Sequence, residues 1–439
     1  MEDEDSMKLP VAILSGVLAI GAWFQQTPGA PAAMNGLAER YVKVVLALGR
    51  HDADYVDAFY GPPEWKKEAD STTVDLDTIA ARAAAIRDDL KKAAPPDSAE
   101  ELVRLRWRYL DRQLMALQAR VRMLKGERLS FDDESKALYD AVAPTHPDSH
   151  FQEIVDALDK RFPGQGSLAV RYDAWRKPFT IPKEKLDAVF QAAIHAGRER
   201  TRTHFALPAD ESFTLEYVTN KPWSGYNWYQ GNNRSLIQIN TDLAIYIDRA
   251  VDLACHEGYP GHHVYNALLE KHLVRDRGWM EFAVYPLFSP QSLIAEGTAN
   301  YGIEVAFPGH ERVEFEKNVL FPLAGLDPSR VDEYYEVQAL VDQLAYAGNE
   351  AARRYLDASM SADQAAAYLE KFALYAPDRA KQRVTFIEKY RSYVINYNFG
   401  KDLVRRYIES RGGTASDPAK RWTEFERLLS SPRLPSDLR

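Results

Sequence analysis

Val103, Trp107, Leu110, Leu114, Leu117, Val121 and Leu124 recur at alternating steps of four and three, the period of a single helix face. A strand would bring every second residue to one side, so this stretch can bury these seven together only as one long amphipathic helix. Ser98 and Glu101, after Pro95 and Pro96, make a capping-box arrangement at its start, and Gly126 marks its end. The face left over carries Arg104, Arg106, Arg108, Arg112, Arg120 and Arg122, which reads as a charged helix face with local acidic partners rather than a polyanion surface.

The same period predicts helices over 36–50, 76–93, 134–143, 151–160, 183–204, 241–257, 262–272, 290–306, 331–358, 361–373, 378–396 and 400–411. It is interrupted at Phe213–Val218 and Ser235–Asn240, where β-branched and aromatic residues predict short strands. The segment between them, NKPWSGYNWYQGNN, is either a loop with a strand pair facing a substrate or an ordinary long hairpin connection. The expected fold is mainly α (α+β): one large helical domain over 34–439 with a small inserted antiparallel β-sheet.

Charge and cysteine usage narrow the chemistry. Lys and Arg number 55 against 64 Asp and Glu, a net charge of −9, which gives nucleic acid or an anionic membrane surface no general attraction. Cys255 is the single cysteine, so an intramolecular disulfide or a metal site built on a cysteine pair or four cysteines is excluded, and any metal must be held by histidines and carboxylates. The run Leu9–Phe24 is apolar and preceded by Lys8; it is shorter than the roughly 20 residues of a membrane span. With Ala30 and Ala32 in an A-x-A arrangement that allows cleavage after Ala32, it predicts a signal peptide over 1–33 and a secreted or periplasmic protein. The acidic MEDEDS leader departs from the usual positive start, which initiation at Met7 would resolve; an uncleaved anchor is the alternative. No cysteine follows the apolar run to take a lipid.

Three of the ten histidines fall in ACHEGYPGHH, which supplies His256, Glu257, His262 and His263 between two predicted helices. A hydrolytic zinc site needs two neutral imidazoles, a third ligand that is often a carboxylate, an open position, and a carboxylate to take a proton from water. His256 and Glu257 fit the first imidazole and the base. In H-E-x-x-H motifs the second histidine lies four residues on, but here that position is Pro260, between Gly258 and Gly261. Proline breaks or bulges the helix, and a two-residue bulge would bring His262 to the ligand position; His263, close to two turns away, is the alternative. In LIAEGTANYGIE, Glu296, Asn300 and Glu304 share one helix face behind Ser289 and Pro290. Glu296 is the expected third ligand, and Asn300 the group that orients a ligand histidine.

HEGYPGHH, EGTANY, LDKRFPGQGSLAVRY and GNNRSLIQIN together resemble the bacterial domain of unknown function 885, grouped with gluzincin-type zinc peptidases. The resemblance spans about Asn35–Arg411 and implies a helical fold with a cleft, one zinc ion, and hydrolysis of peptides. His256, Glu257 and Glu296 then match the gluzincin first histidine, catalytic glutamate and carboxylate ligand. The longer spacing to the second histidine and Asn300 in place of an acidic residue depart from that pattern.

In YRSYVINYNFG, Tyr397 is a candidate donor to an oxyanion and Arg391 a candidate partner for a substrate carboxylate. GQGSLA lacks a preceding buried strand and reads as a turn, and no G-x-S-x-G elbow or phosphate loop occurs. The sequence thus predicts a zinc peptidase acting on a peptide or small amide. Hydrolysis of non-peptide amides or esters, or a non-catalytic binding protein with a structural or absent metal, are its rivals.

Overall fold

The computed structural model describes residues 30–439; the apolar run 9–24 of the expected signal peptide lies outside the described residues. Helix α1 (Ala30–Leu48) buries Tyr41, Val42, Val45 and Leu48, packing on α2 (Leu76–Lys92), which in turn packs on α3 (Glu101–Leu124). The predicted stripe forms the inner face of α3, with Leu110, Leu114, Leu117 and Val121 at most 1% exposed. Each such side chain contributes about 1.5–3 kcal/mol by leaving water. The expected capping box is absent: Glu100 is the N-cap and makes no side-chain cap. The arginine face does find acidic partners, Arg120 with Asp52 and Arg122 with Glu127, while Arg106 turns inward to a buried pair with Glu281.

Helix α4 (Leu186–His204) leads into the sheet, formed by β1 (Ser212–Val218), β2 (Gly225–Gly231) and β3 (Arg234–Asn240) in the order β1–β3–β2. The two strands expected from the sequence, β1 and β3, pair in parallel rather than as an antiparallel hairpin, and β2, which was not expected, supplies the antiparallel pairing, with β3. The difference follows from β2, which takes the chain back across the sheet so that β3 runs in the direction of β1. A separate antiparallel pair links Val56–Phe59 to Val284–Pro286. The helix expected from 241 starts only at Asp248, because Thr241 N bonds Val218 O and the Asp242 carboxylate accepts from Asn220 N, tying this stretch to the loop after β1. The helix expected over 331–358 is two, Val331–Val341 and Ala347–Leu356.

Helices α5 (Asp248–Leu253), α6 (His262–Leu269), α7 (Pro290–Ala306), α8 (Pro377–Tyr390) and α9 (Ile395–Ser410) complete the centre of the molecule. α7 starts behind Ser289–Pro290 as predicted and is buried on nearly all sides, as a helix at the middle of a core must be. Its backbone touches α9: a Cβ on Gly297 would lie 2.6 Å from the Gly400 carbonyl. One contiguous apolar core runs from Met34 to Leu438. A cleft of about 960 Å³ opens between α5–α7, the sheet and α8–α9. Among the described residues no helix is long and apolar enough to cross a membrane.

Candidate metal centre

α5 does not end cleanly but widens over Ala254–Gly258 into a bulged turn, where Tyr259 N bonds Ala254 O at 3.1 Å and Gly261 N reaches Cys255 O at 2.9 Å. Pro260 has no N–H to continue the helix, and Gly261 passes so near the preceding turn that a Cβ there would lie 2.0 Å from His256 O. The chain re-enters a helix at His262. This detour sets His262 Nε2 3.1 Å from His256 Nε2, the meeting that the six-residue spacing requires.

α7 brings Glu296 to the same point: its Oε2 lies 3.2 Å from His256 Nε2 and 3.8 Å from His262 Nε2. Glu296 Oε1 accepts from Tyr393 OH at 2.7 Å, whereas the buried Oε2 has no hydrogen-bond partner among the described residues. The Asn300 amide nitrogen donates to Glu296 O at 3.1 Å and Tyr397 O at 3.2 Å, which leaves its oxygen 3.2 Å from His256 Nδ1. His256 therefore carries its proton on Nδ1 and presents the Nε2 lone pair to the centre.

His256 Nε2 and Glu296 Oε2, with His262 Nε2 beside them, thus converge with an orphaned buried oxygen among them. Donors about 2.0–2.2 Å from a tetrahedral ion stand about 3.3–3.6 Å apart, and the three separations bracket that spacing. Two imidazoles and a carboxylate suit zinc. The residues fit a divalent cation.

Glu257 is buried beside this group, under β2, where a Cβ on Gly225 would lie 3.0 Å from its Oε1. Its backbone oxygen accepts from Asn227 Nδ2 at 2.7 Å. Burial pushes its carboxyl up to about 7, against the pull of His262. The Tyr397 ring stands 5.8 Å from that of Tyr393 on the cleft wall, and burial, then Glu296, raises its phenol well above the ordinary value, so the hydroxyl stays protonated and can donate a hydrogen bond.

The structure therefore brings together His256, Glu257, His262, Glu296, Asn300 and Tyr397. His263 faces away and is fully buried, with Nδ1 at 2.9 Å from Ser235 Oγ and Nε2 at 3.1 Å from Glu211 Oε2. Arg391 is a correction: it does not line the cleft, since its Nε donates at 2.6 Å to the buried Glu134, which also accepts from Ser392. That carboxylate occupies the guanidinium expected to meet substrate. Glu304 is paired with Lys401 and Arg405. Sequence reading missed two residues. Tyr393 could have been found as the helical mate of Tyr397 four positions on. Asp57, on the wall with Tyr226 OH donating to it, carries no local signal; burial pushes its carboxyl up to about 6.

No protein-family model and no curated protein matches the chain. Among solved structures it is similar to a protein provisionally designated a lipoprotein from Colwellia psychrerythraea, at 15% identity over 85% of this chain and 71% of that one, TM-score 0.50. A protein of unknown function from Shewanella oneidensis, also provisionally designated a lipoprotein, aligns at 13% identity over 85% and 74%, TM-score 0.44. An M32 carboxypeptidase from Deinococcus radiodurans R1 aligns at 13% identity over 93% of each chain, with a TM-score of 0.39. At 15% identity the likeness to the Colwellia protein is one of fold alone.

Proposed function

We propose that this chain is an exported, zinc-dependent peptidase in which His256, His262 and Glu296 hold one metal ion and Glu257 is the general base. The observation that carries the reading is the convergence of His256 Nε2, His262 Nε2 and the unpartnered Glu296 Oε2 within 3.8 Å, with a second buried carboxylate, Glu257, beside them. A structural metal site has no use for that second carboxylate. The resemblance of HEGYPGHH and EGTANY to the gluzincin-grouped family of unknown function 885 supports the same assignment, and the apolar run 9–24 supports export.

A zinc ion supplies Lewis acidity, lowering the pKa of a water and polarising a carbonyl. Glu257 takes a proton from the attacking water as its oxygen bonds to the carbonyl carbon, and returns that proton to the leaving nitrogen as the C–N bond breaks. Tyr397 donates to the oxygen on which negative charge develops. Asn300 and Tyr393 hold His256 and Glu296 in place. Gly225 brings β2 directly over Glu257, so the site is covered on one side and open to the cleft on the other.

The experiment is Glu257→Gln beside the parent protein, with zinc content by mass spectrometry and turnover on a library of blocked peptides, N-acyl amino acids and simple esters. Zinc at about one per chain in both proteins, with peptide turnover only in the parent, is the expected result. Full activity in the variant overturns the assignment of the base. Turnover confined to esters or N-acyl amino acids moves the protein to hydrolysis of non-peptide bonds. No metal in the parent after zinc is added back leaves a binding protein.

A further inference from the structure

On the wall of the cleft facing the metal centre, Arg379 and Arg383 carry positive charge with no acidic partner among the described residues. α8 turns Arg379, Arg383, Phe386 and Tyr390 toward the cleft, at steps of four, three and four along one helix face. The neighbouring cleft arginine Arg249 is paired with Asp252 at 3.1 Å, and nearby Arg176 with Asp248 at 2.7 Å. Arg379 and Arg383 instead lie over aromatic rings: Arg379 at 4.8 Å from the Tyr375 ring, Arg383 at 4.5 Å from Phe386 and 5.8 Å from Tyr397. A guanidinium on an aromatic face keeps its N–H fork free for a carboxylate, which it can grip through two parallel hydrogen bonds.

The charge also registers on a neighbour. Burial should raise the Tyr375 phenol, yet Arg383, Arg379, Arg249 and Arg176 together outweigh it and hold the group below its ordinary range. A short chain of contacts joins this wall to the centre: Arg383 lies over Tyr397, Tyr397 O accepts from Asn300, and Asn300 orients His256. An anion held by Arg383 is thus gripped by a guanidinium that lies over Tyr397, the residue assigned to the oxyanion.

We infer that Arg379 and Arg383 form a carboxylate-binding subsite that selects anionic substrates, either a free peptide C-terminus or an acidic side chain. The inference deepens the peptidase reading and rests on it for the identity of the ligand as a peptide. It also replaces Arg391, whose charge is taken by Glu134, as the carboxylate partner.

The test measures binding, not turnover, on the zinc-loaded full chain by calorimetry, with N-acetyl-Phe-Phe, its C-terminal amide and N-acetyl-Phe-Glu amide as probes. Losing one charge-assisted contact costs about tenfold in affinity. The free acid or the Glu amide should therefore bind at least tenfold tighter than the neutral amide, the former marking a C-terminal and the latter a side-chain carboxylate. Arg379→Gln with Arg383→Gln should erase that preference, and Arg379→Lys with Arg383→Lys should restore part of it, with melting temperature and zinc content unchanged in both. Equal binding of all three probes, no binding of any, or a preference that survives the double Gln variant overturns the subsite. Carboxylate-selective binding without cleavage sinks the peptidase reading alone, and cleavage without carboxylate preference sinks the subsite alone.

Discussion

The Asn300 side-chain oxygen stands 3.2 Å from His256 Nδ1, and because the same amide's nitrogen donates to two backbone carbonyls, one amide decides which His256 nitrogen is free. Groups that fix a ligand histidine in this way typically carry about 10–100-fold in metal affinity. Asn300→Ala should weaken zinc binding by that factor in competition with a chromophoric chelator. Asn300→Asp, which keeps an acceptor at Nδ1, should stay within a few fold of the parent. Undiminished affinity in the alanine variant would show that the ring is held by packing alone.

The two adjacent histidines separate cleanly. His262 faces His256 and Glu296, whereas both ring nitrogens of His263 are engaged by Ser235 and Glu211. His262→Ala should lose the metal with little change in the apo-protein's melting temperature. His263→Ala should keep about one zinc per chain but lose about 3 kcal/mol of stability from the emptied, unpaired site. The reverse pattern of zinc content would assign the ligand to His263.

What the sequence reveals about this protein depends on how local each cause is. The helix through Leu110 and Leu117 is legible because seven apolar residues repeat one period, and α7 because Ser289–Pro290 starts it and its small residues admit close packing. β2 was hidden by Gly, Asn and aromatic residues that also suit a turn; only its pairing with β3 makes it a strand. The metal centre was legible because the bulge at Gly258–Gly261 is written into eight consecutive residues. Asp57 joins the wall from a distant part of the chain. Arg391 was misplaced for the same reason, since its partner Glu134 lies 257 positions away.

The close approach of α7 to α9 positions Glu296, and it depends on two missing side chains. A Cβ at Gly297 would meet the Gly400 backbone at 2.6 Å, which a helix pair can relieve only by moving apart. Gly297→Ala should cost about 1–3 kcal/mol or more and, by shifting the neighbouring Glu296, weaken zinc binding as well. Gly348→Ala, at a helical glycine with open space around it, should be neutral or stabilising by up to about 1 kcal/mol. Thermal melting with and without zinc reads both effects. A Gly297→Ala protein as stable as the parent would mean that the two helices have slack the structure does not show.

Beneath the metal centre, the fully buried His263 stands on Glu211, which also accepts from Tyr259 OH at 2.5 Å and from Arg198 at 2.7 Å. Burial alone would raise the Glu211 carboxyl, but these three donors outweigh it and hold the group below its ordinary value, while burial keeps His263 neutral in spite of the carboxylate. A carboxylate lowered in the folded state contributes stability that is complete above its unfolded pKa, about 4.3, and is lost as pH falls through the folded value. Glu211→Gln should therefore melt well below the parent from pH 7 down to about 5, by about 2–3 kcal/mol for the donors left without an anion. The gap should begin to narrow only as pH falls below the unfolded value of about 4.3, and close once the folded parent's lowered carboxylate is protonated as well. Melting curves of both proteins at half-unit steps from pH 7 to 3 check this, and a gap that widens toward acid would show that Glu211 is not the anion on which this layer rests.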